Sequence, residues 1–109
     1  MDKIEQLITQ IRQFSIDRDW DQFHNGKDLA VALNIEASEL LEAYLWKSPE
    51  DVKQDKVAEE LADVLIYALM IADHYHLNVP DIVEEKLHKN AEKYPIEKAK
   101  GVATKYTEF

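Results

Sequence analysis

Apolar positions recur every three or four residues along most of the chain, the spacing that is typical of amphipathic α-helices. No stretch alternates apolar and polar residues as a half-exposed strand would, and the sequence contains only two glycines and three prolines. This pattern predicts an all-α fold, a small bundle of four helices joined by short connections.

The helix limits follow from this periodicity and from the residues that start and stop helices. Ser48 is expected to cap the third helix, with Pro49 in its first turn, and Pro80 is expected to open the fourth. A loop with two aromatic residues, Trp20 and Phe23, and a histidine separates the first two helices. The predicted helices cover residues 3–18, 27–46, 49–76 and 80–94, with the loop at 19–26 and an extended or partly helical tail at 96–109.

The apolar faces of these helices predict the core. On the first helix the apolar stripe runs from Ile4 to Phe14. The positions expected to face the interior on the second and third helices are Leu29, Leu33, Leu40, Tyr44, Val64, Leu65, Ala68 and Ile71.

Length and composition limit the classes of protein that fit. A chain of 109 residues suits one domain, expected here over residues 1–109 with 96–109 as a tail. The absence of cysteine excludes disulfides and thiolate zinc sites. No signal segment or membrane span is apparent, so a cytoplasmic location is expected. The net charge of −9 argues against a nucleic-acid polymer as partner, because phosphate backbones require clustered basic residues.

Candidate chemistry lies in two pairs of acidic residues, Glu36 with Glu39 and Glu60 with Asp63. Residues three apart share a helix face, so each pair can direct two carboxylates to one point. Glu36 falls within the apolar stripe of the second helix, and residues 61–72 are apolar apart from Asp63. Buried carboxylates need a cation or hydrogen-bond donors. If the two helices pack together, four oxygen ligands would favour Mg²⁺, or Mn²⁺ in its place.

Two alternatives remain open at this point. Each buried acid could pair with a lysine, arginine or histidine, although neither helix offers enough inward-facing bases for four of them. A di-iron bundle would need Glu-x-x-His pairs on two helices, and the sequence has one, from Glu85 to His88.

The motifs around the acidic pairs resemble those of the MazG-like nucleotide pyrophosphohydrolases, in particular the small dCTP pyrophosphatase-like branch. The resemblance covers the chain to about residue 95. The motifs that carry it are RDWDQFH at 18–24, LLEAYLW at 40–46, EELADVLIY at 59–67, KLHKN at 86–90 and KYP at 93–95.

The resemblance implies Mg²⁺-dependent hydrolysis of a nucleoside triphosphate to the monophosphate and pyrophosphate, by a homodimer or homotetramer. It implies that the four acids hold the metal, and we expect Glu39 to help deprotonate the attacking water. A non-catalytic helical module that binds nucleotides or a partner is the alternative function. The implied substrate-binding residues are Trp20, His24 and Trp46 around base and sugar, and Tyr67, Lys86, Asn90 and Lys93 around sugar and phosphates.

Overall fold

All residues from Met1 to Phe109 are described by the computed structural model, and every regular element in it is helical. The prediction of an all-α protein is therefore confirmed. The α-helices are α1 (Lys3–Asp17), α2 (Gly26–Glu42), α3 (Gln54–His74), α4 (Val79–Lys93) and the short α5 (Ile96–Ala99), with 3₁₀ turns at Asp21–Phe23 and Tyr106–Glu108.

Side-chain caps set the start of three helices. Asp2, Asn25 and Asn78 each precede a helix in extended backbone geometry, and each side chain accepts a hydrogen bond from a backbone N–H of the first turn, at 2.8–3.0 Å. Such caps satisfy donors that have no partner inside the helix. They place α1 and α4 within about one residue of the predicted limits.

Replacement of the α2 cap is expected to destabilise the fold. Asn25→Ala removes both the acceptor for the Asp28 N–H and the donor to the Asp28 carboxylate, so the free energy of unfolding should fall by about 1 kcal/mol. Urea denaturation measures it. Asn25→Ser keeps a side-chain acceptor for the Asp28 N–H without adding charge beside the Asp28 carboxylate, and it should restore most of the loss. A loss as large in Asn25→Ser as in Asn25→Ala would show that the cap is not its origin.

The connection between α2 and α3 differs from the prediction. α2 ends at Glu42, four residues early, because residues 43–46 form turns and Trp46 has a φ of 61°, in the left-handed region. The prediction of a third helix beginning at Pro49 is wrong. Ser48 Oγ donates to the Asp51 carboxylate at 2.8 Å, so this hydroxyl caps no helix, and α3 begins only at Gln54.

The chain comprises two compact units, Met1–Leu77 and Asn78–Phe109. In the first, α3 packs against α2 and α1. Its most buried apolar residue is the predicted core residue Leu29, at 2% exposed, and Ala43 and Ala72 are also buried. The predicted positions Leu33, Leu40, Tyr44, Val64 and Ile71 are half-buried.

Three predicted core positions are exposed instead: Phe14 at 50%, Leu65 at 52%, and Ala68. The middle of α3 is apolar on nearly every face, and α1 and α2 cover only part of it. Other apolar side chains of α2 and its following turn are also open, with Ile35 at 52% and Leu41 at 72%. No helix is both long and apolar enough to cross a membrane.

The second unit contains α4, α5 and the tail, which is partly helical as predicted. Tyr94, just after α4, packs edge-on against Tyr106 and Phe109, with ring centroids 5.7 and 5.8 Å apart. Lys93 Nζ lies 4.9 Å from the centroid of the Tyr106 ring. The tail therefore folds back onto the end of α4.

Candidate metal and nucleotide site

Packing of α2 against α3 brings together three of the four predicted carboxylates. One oxygen from each of Glu36, Glu60 and Asp63 lies within 4.8 Å of the others. Glu60 is 7% exposed, and the other two are half-buried. We call these three residues the acidic cluster. Mutual repulsion at this spacing is strong unless a cation or a proton offsets it.

Two oxygens of the acidic cluster have no hydrogen-bond partner. Glu36 Oε2 and Glu60 Oε2 are buried and unpaired, whereas Glu60 Oε1 receives Lys56 Nζ at 2.8 Å. Lysine pairing therefore satisfies one oxygen of the cluster and leaves two buried oxygens without a donor. A buried carboxylate oxygen without a partner is costly, and the all-oxygen donor set suits a hard divalent cation. These residues could hold a divalent metal ion.

Glu39 lies beside the acidic cluster, partly exposed. Its pKa is raised from 4.5 to about 7, first by hydrogen bonding with Glu36 and by the negative charge of Glu36, then by desolvation and by the charge of Glu60. Near neutral pH the fourth acid of the two pairs is therefore part-protonated when no cation is bound.

An aromatic pocket of about 400 Å³ opens next to the acidic cluster. It brings together the predicted residues Trp20, His24 and Tyr67, and Asp63 lies in its wall. The pocket also contains six residues that were not predicted to line a site, two of which, Ile11 and Phe14, belong to the apolar stripe predicted on the first helix. The six are Gln10, Ile11, Phe14, Ser15, Ile66 and Met70.

The Trp20 ring is held in place by α1. Phe14 packs edge-on against it with centroids 5.9 Å apart, and the guanidinium of Arg18 lies 3.6 Å over the Phe14 ring. Arg18 in turn donates to the Phe14 carbonyl at 3.0 Å. The aromatic wall of the pocket thus rests on the last turn of the first helix.

On another side, Glu39 and Glu60 line a polar cavity of about 700 Å³. Three lysines share its wall: Lys47, Lys53 and Lys56. These lysines were not predicted as site residues, because Lys47 and Lys53 belong to the connection whose helix start was misplaced. The lysines can attract an anion, and a cation held by Glu39 and Glu60 would offset further negative charge of that anion.

The remaining predicted residues lie elsewhere. Trp46 is 95% exposed in the turn after α2 and does not line the aromatic pocket. Lys86, Asn90 and Lys93 lie on α4 in the second unit, at a spacing that places them on one helix face. Their predicted contacts with substrate stay predictions.

Residues 31–109 match the family model described as the MazG-like family. The chain belongs to the MazG-like family. This confirms the resemblance drawn from the motifs around the acidic pairs.

The named proteins to which the chain is similar are pyrophosphatases. The chain is similar to dCTP pyrophosphatase 1 of Mus musculus, with 36% identity over 89% of the chain, and to that of Homo sapiens, with 35% identity over the same share. It spans about 62% of the length of these relatives. It is also similar to the crystal structure of a pyrophosphatase from Archaeoglobus fulgidus DSM 4304, with a TM-score of 0.80 and 37% identity, covering 87% of this chain and 94% of the other.

Proposed function

We propose that this MazG-like protein hydrolyses (deoxy)nucleoside triphosphates to the monophosphate and pyrophosphate in a Mg²⁺-dependent reaction, in the service of nucleotide-pool house-cleaning. The observation that carries the proposal is the pair of buried carboxylate oxygens without partners in a cluster that borders two cavities. Asp63 lines the aromatic pocket, and Glu60 lines the polar cavity with its lysines. The aromatic pocket suits the base of a nucleotide, and the polar cavity with its lysines suits the triphosphate chain.

The aromatic pocket is proposed to hold the base and sugar. Trp20 and Tyr67 offer ring faces, and stacking on aromatic rings is favourable for every base. His24 adds a hydrogen-bonding edge in the same wall. Because the similar mouse and human proteins are named dCTP pyrophosphatase 1, dCTP is the first substrate to test.

Glu36, Glu60 and Asp63 are proposed to hold Mg²⁺, with Glu39 as the fourth acid. When bound, the ion would neutralise phosphate charge and make water easier to deprotonate. Mn²⁺ is the expected substitute, since it accepts the same oxygen ligands.

The chain's own residues supply the other requirements of the reaction. Lys47, Lys53 and Lys56 offset the charge of the triphosphate in the polar cavity. Water attacks the α-phosphorus, its proton passes to Glu39, and the bond from that phosphorus to the bridging oxygen breaks. Pyrophosphate leaves with the electron pair of that bond. Lys86, Asn90 and Lys93 are proposed as further contacts to sugar or phosphates.

Metal binding is expected to weaken as the pH falls below 7. The raised pKa of Glu39 means that a cation must displace a proton there at lower pH. If one group with a pKa of about 7 controls binding, Mg²⁺ affinity should be about tenfold lower at pH 6 than at pH 8. Isothermal titration calorimetry measures this, and Glu39→Gln should remove most of the pH dependence. An unchanged dependence in Glu39→Gln would assign the proton to another group.

The raised pKa of Glu39 should also affect the free energy of unfolding of the metal-free protein. Since its folded pKa lies above the ordinary 4.5, the folded state binds more protons between these values, and stability is lost as the pH rises through about 7. Mg²⁺ would reverse that loss.

A homodimer or homotetramer is proposed as the working assembly. Leu41, Leu45 and Trp46 are 72%, 57% and 95% exposed in the single chain, more apolar surface than an isolated bundle needs. Because Trp46 does not line the aromatic pocket of its own chain, it would contact a nucleotide only within such an assembly. Sedimentation velocity should show a species of at least two chains, and a monomer at micromolar concentration would contradict this. A cytoplasmic location, with no nucleic-acid polymer or membrane as partner, belongs to the same proposal.

A panel of canonical and modified nucleoside triphosphates with Mg²⁺ tests the proposed function. We expect release of pyrophosphate and the monophosphate in equal amounts, and none after chelation of the metal. Nucleotide binding without turnover would instead favour a non-catalytic binding module, and orthophosphate as the product would contradict attack at the α-phosphorus.

A further inference from the structure

One side-chain interaction in the molecule joins residues that are distant in sequence. Arg12 on α1 donates to both carboxylate oxygens of Asp73 on α3, from Nε at 3.0 Å and from the terminal nitrogen at 2.6 Å, across 61 positions. Every other side-chain hydrogen bond or ion pair spans eight positions or fewer. The Arg12–Asp73 pair is therefore the one directional side-chain link between distant elements of the fold.

The pair lies in the wall of a small cavity that shares residues with the aromatic pocket. Arg12 and Asp73 line a small cavity of about 130 Å³ together with Ile11, Ser15 and Met70, and these last three residues also line the aromatic pocket. On α3, Asp73 is three residues beyond Met70 and so continues the face that carries Asp63 and Tyr67 toward the pocket. The link thus spans the two helices that form opposite walls of the pocket.

The link suits positioning better than it suits general stability. Both side chains are partly exposed, so solvent screens their attraction and the pair adds little to the free energy of unfolding. Its two-point geometry, however, fixes both distance and orientation. The other contacts between α1 and α3 are apolar packing, which is non-directional and tolerates small shifts.

We propose that Arg12 and Asp73 are positioning residues that set the spacing of the aromatic pocket, and through it the affinity for the base of the substrate. The inference rests on the proposed function, because it assigns the pocket to the nucleotide. Phe14 and Trp20 follow Arg12 along the chain, whereas Ile66 and Tyr67 precede Asp73 on α3. A change in the link would therefore move the aromatic wall relative to Tyr67 while the acidic cluster, built between α2 and α3, keeps its ligands.

The decisive experiment is a charge-swap cycle in the full-length protein with Mg²⁺ and dCTP. Asp73→Asn and Arg12→Lys are each expected to raise KM about tenfold, because a displaced aromatic wall would weaken stacking on the base. The value of kcat should change less than about twofold. Arg12→Asp combined with Asp73→Arg restores a two-point pair and should recover most of the KM. Gln13→Ala, which removes a local bond on the same helix, should leave KM unchanged.

Two further measurements separate positioning from a structural role. Thermal unfolding should change little in Asp73→Asn, and calorimetric Mg²⁺ affinity should equal that of the unaltered protein. A wild-type KM in both single variants, or failure of the swapped pair to recover it, would overturn the inference. So would a parallel loss of Mg²⁺ affinity.

Failure of the proposed function would look different. In that case the unaltered protein itself would not hydrolyse dCTP, and the same variants would be compared by isothermal titration calorimetry of dCTP binding with Mg²⁺. Weaker dCTP affinity in Asp73→Asn that the swap recovers would support the positioning role without turnover. Equal affinity across the variants, or no binding by any of them, would overturn it.

Discussion

Asp63→Asn is expected to lower the kcat of Mg²⁺-dependent nucleotide hydrolysis by about 100-fold or more, because it removes a charged ligand from the acidic cluster. Asp63 is the one member of the cluster that also lines the aromatic pocket, so its carboxylate lies where metal, base pocket and triphosphate would meet. The amide keeps the shape of the side chain and loses the charge. The measurement is steady-state release of pyrophosphate at saturating Mg²⁺.

The same substitution should not destabilise the metal-free fold. It removes a negative charge from a cluster that holds two other carboxylates within 4.8 Å, so the melting temperature without Mg²⁺ should stay the same or rise. Asp17→Asn, an exposed acid at the end of α1, is the matched control and should keep full activity. Wild-type turnover in Asp63→Asn, or an equal loss in Asp17→Asn, would contradict the assignment.

Trp20→Ala is expected to raise the KM for dCTP by about 5- to 150-fold, since stacking of one base on one aromatic ring contributes roughly 1–3 kcal/mol. Trp20 forms part of the pocket wall and packs against Phe14. Trp20→Phe keeps a ring face and should lose much less. Initial rates across a range of dCTP concentrations provide the measurement.

Phe23 offers a control from the same loop. It is 65% exposed and does not line the pocket, so Phe23→Ala should leave KM close to wild type. A similar rise in KM for both alanine variants would attribute the effect to the loop as a whole. An unchanged KM in Trp20→Ala would show that the base does not bind in this pocket.

Local signals predicted the fold well where caps and periodicity act alone. α1 and α4 begin and end close to their expected limits, since the apolar stripe of α1 and the proline at the start of α4 act through a few nearby residues. The α2–α3 connection was misplaced because Ser48 and proline imitate a helix start. In the structure the Ser48 hydroxyl donates to the Asp51 carboxylate instead of capping a helix. Residue spacing alone does not reveal which of these two interactions forms.

Periodicity identified the acidic cluster more reliably than it identified the core. Glu36, Glu60 and Asp63 fell on inward faces of their helices and meet where α2 packs on α3. Leu65 lies on the same apolar helix and is 52% exposed, because a pattern that is apolar all round does not say which side a neighbouring helix covers.

The lysines of the polar cavity were beyond sequence analysis for a related reason. Lys47 and Lys53 lie in the irregular connection, where no period fixes the direction of a side chain. The unpaired oxygens of Glu36 and Glu60 likewise depend on which bases reach the cluster, and only Lys56 does. Both features are products of tertiary packing.

The most direct test of the proposed reaction is hydrolysis of dCTP with Mg²⁺ in ¹⁸O-labelled water, followed by mass spectrometry of both products. Attack at the α-phosphorus predicts one labelled oxygen in dCMP, unlabelled pyrophosphate in equal amount, and loss of both products in Asp63→Asn. Label in pyrophosphate, release of orthophosphate, or undiminished turnover in Asp63→Asn would contradict it.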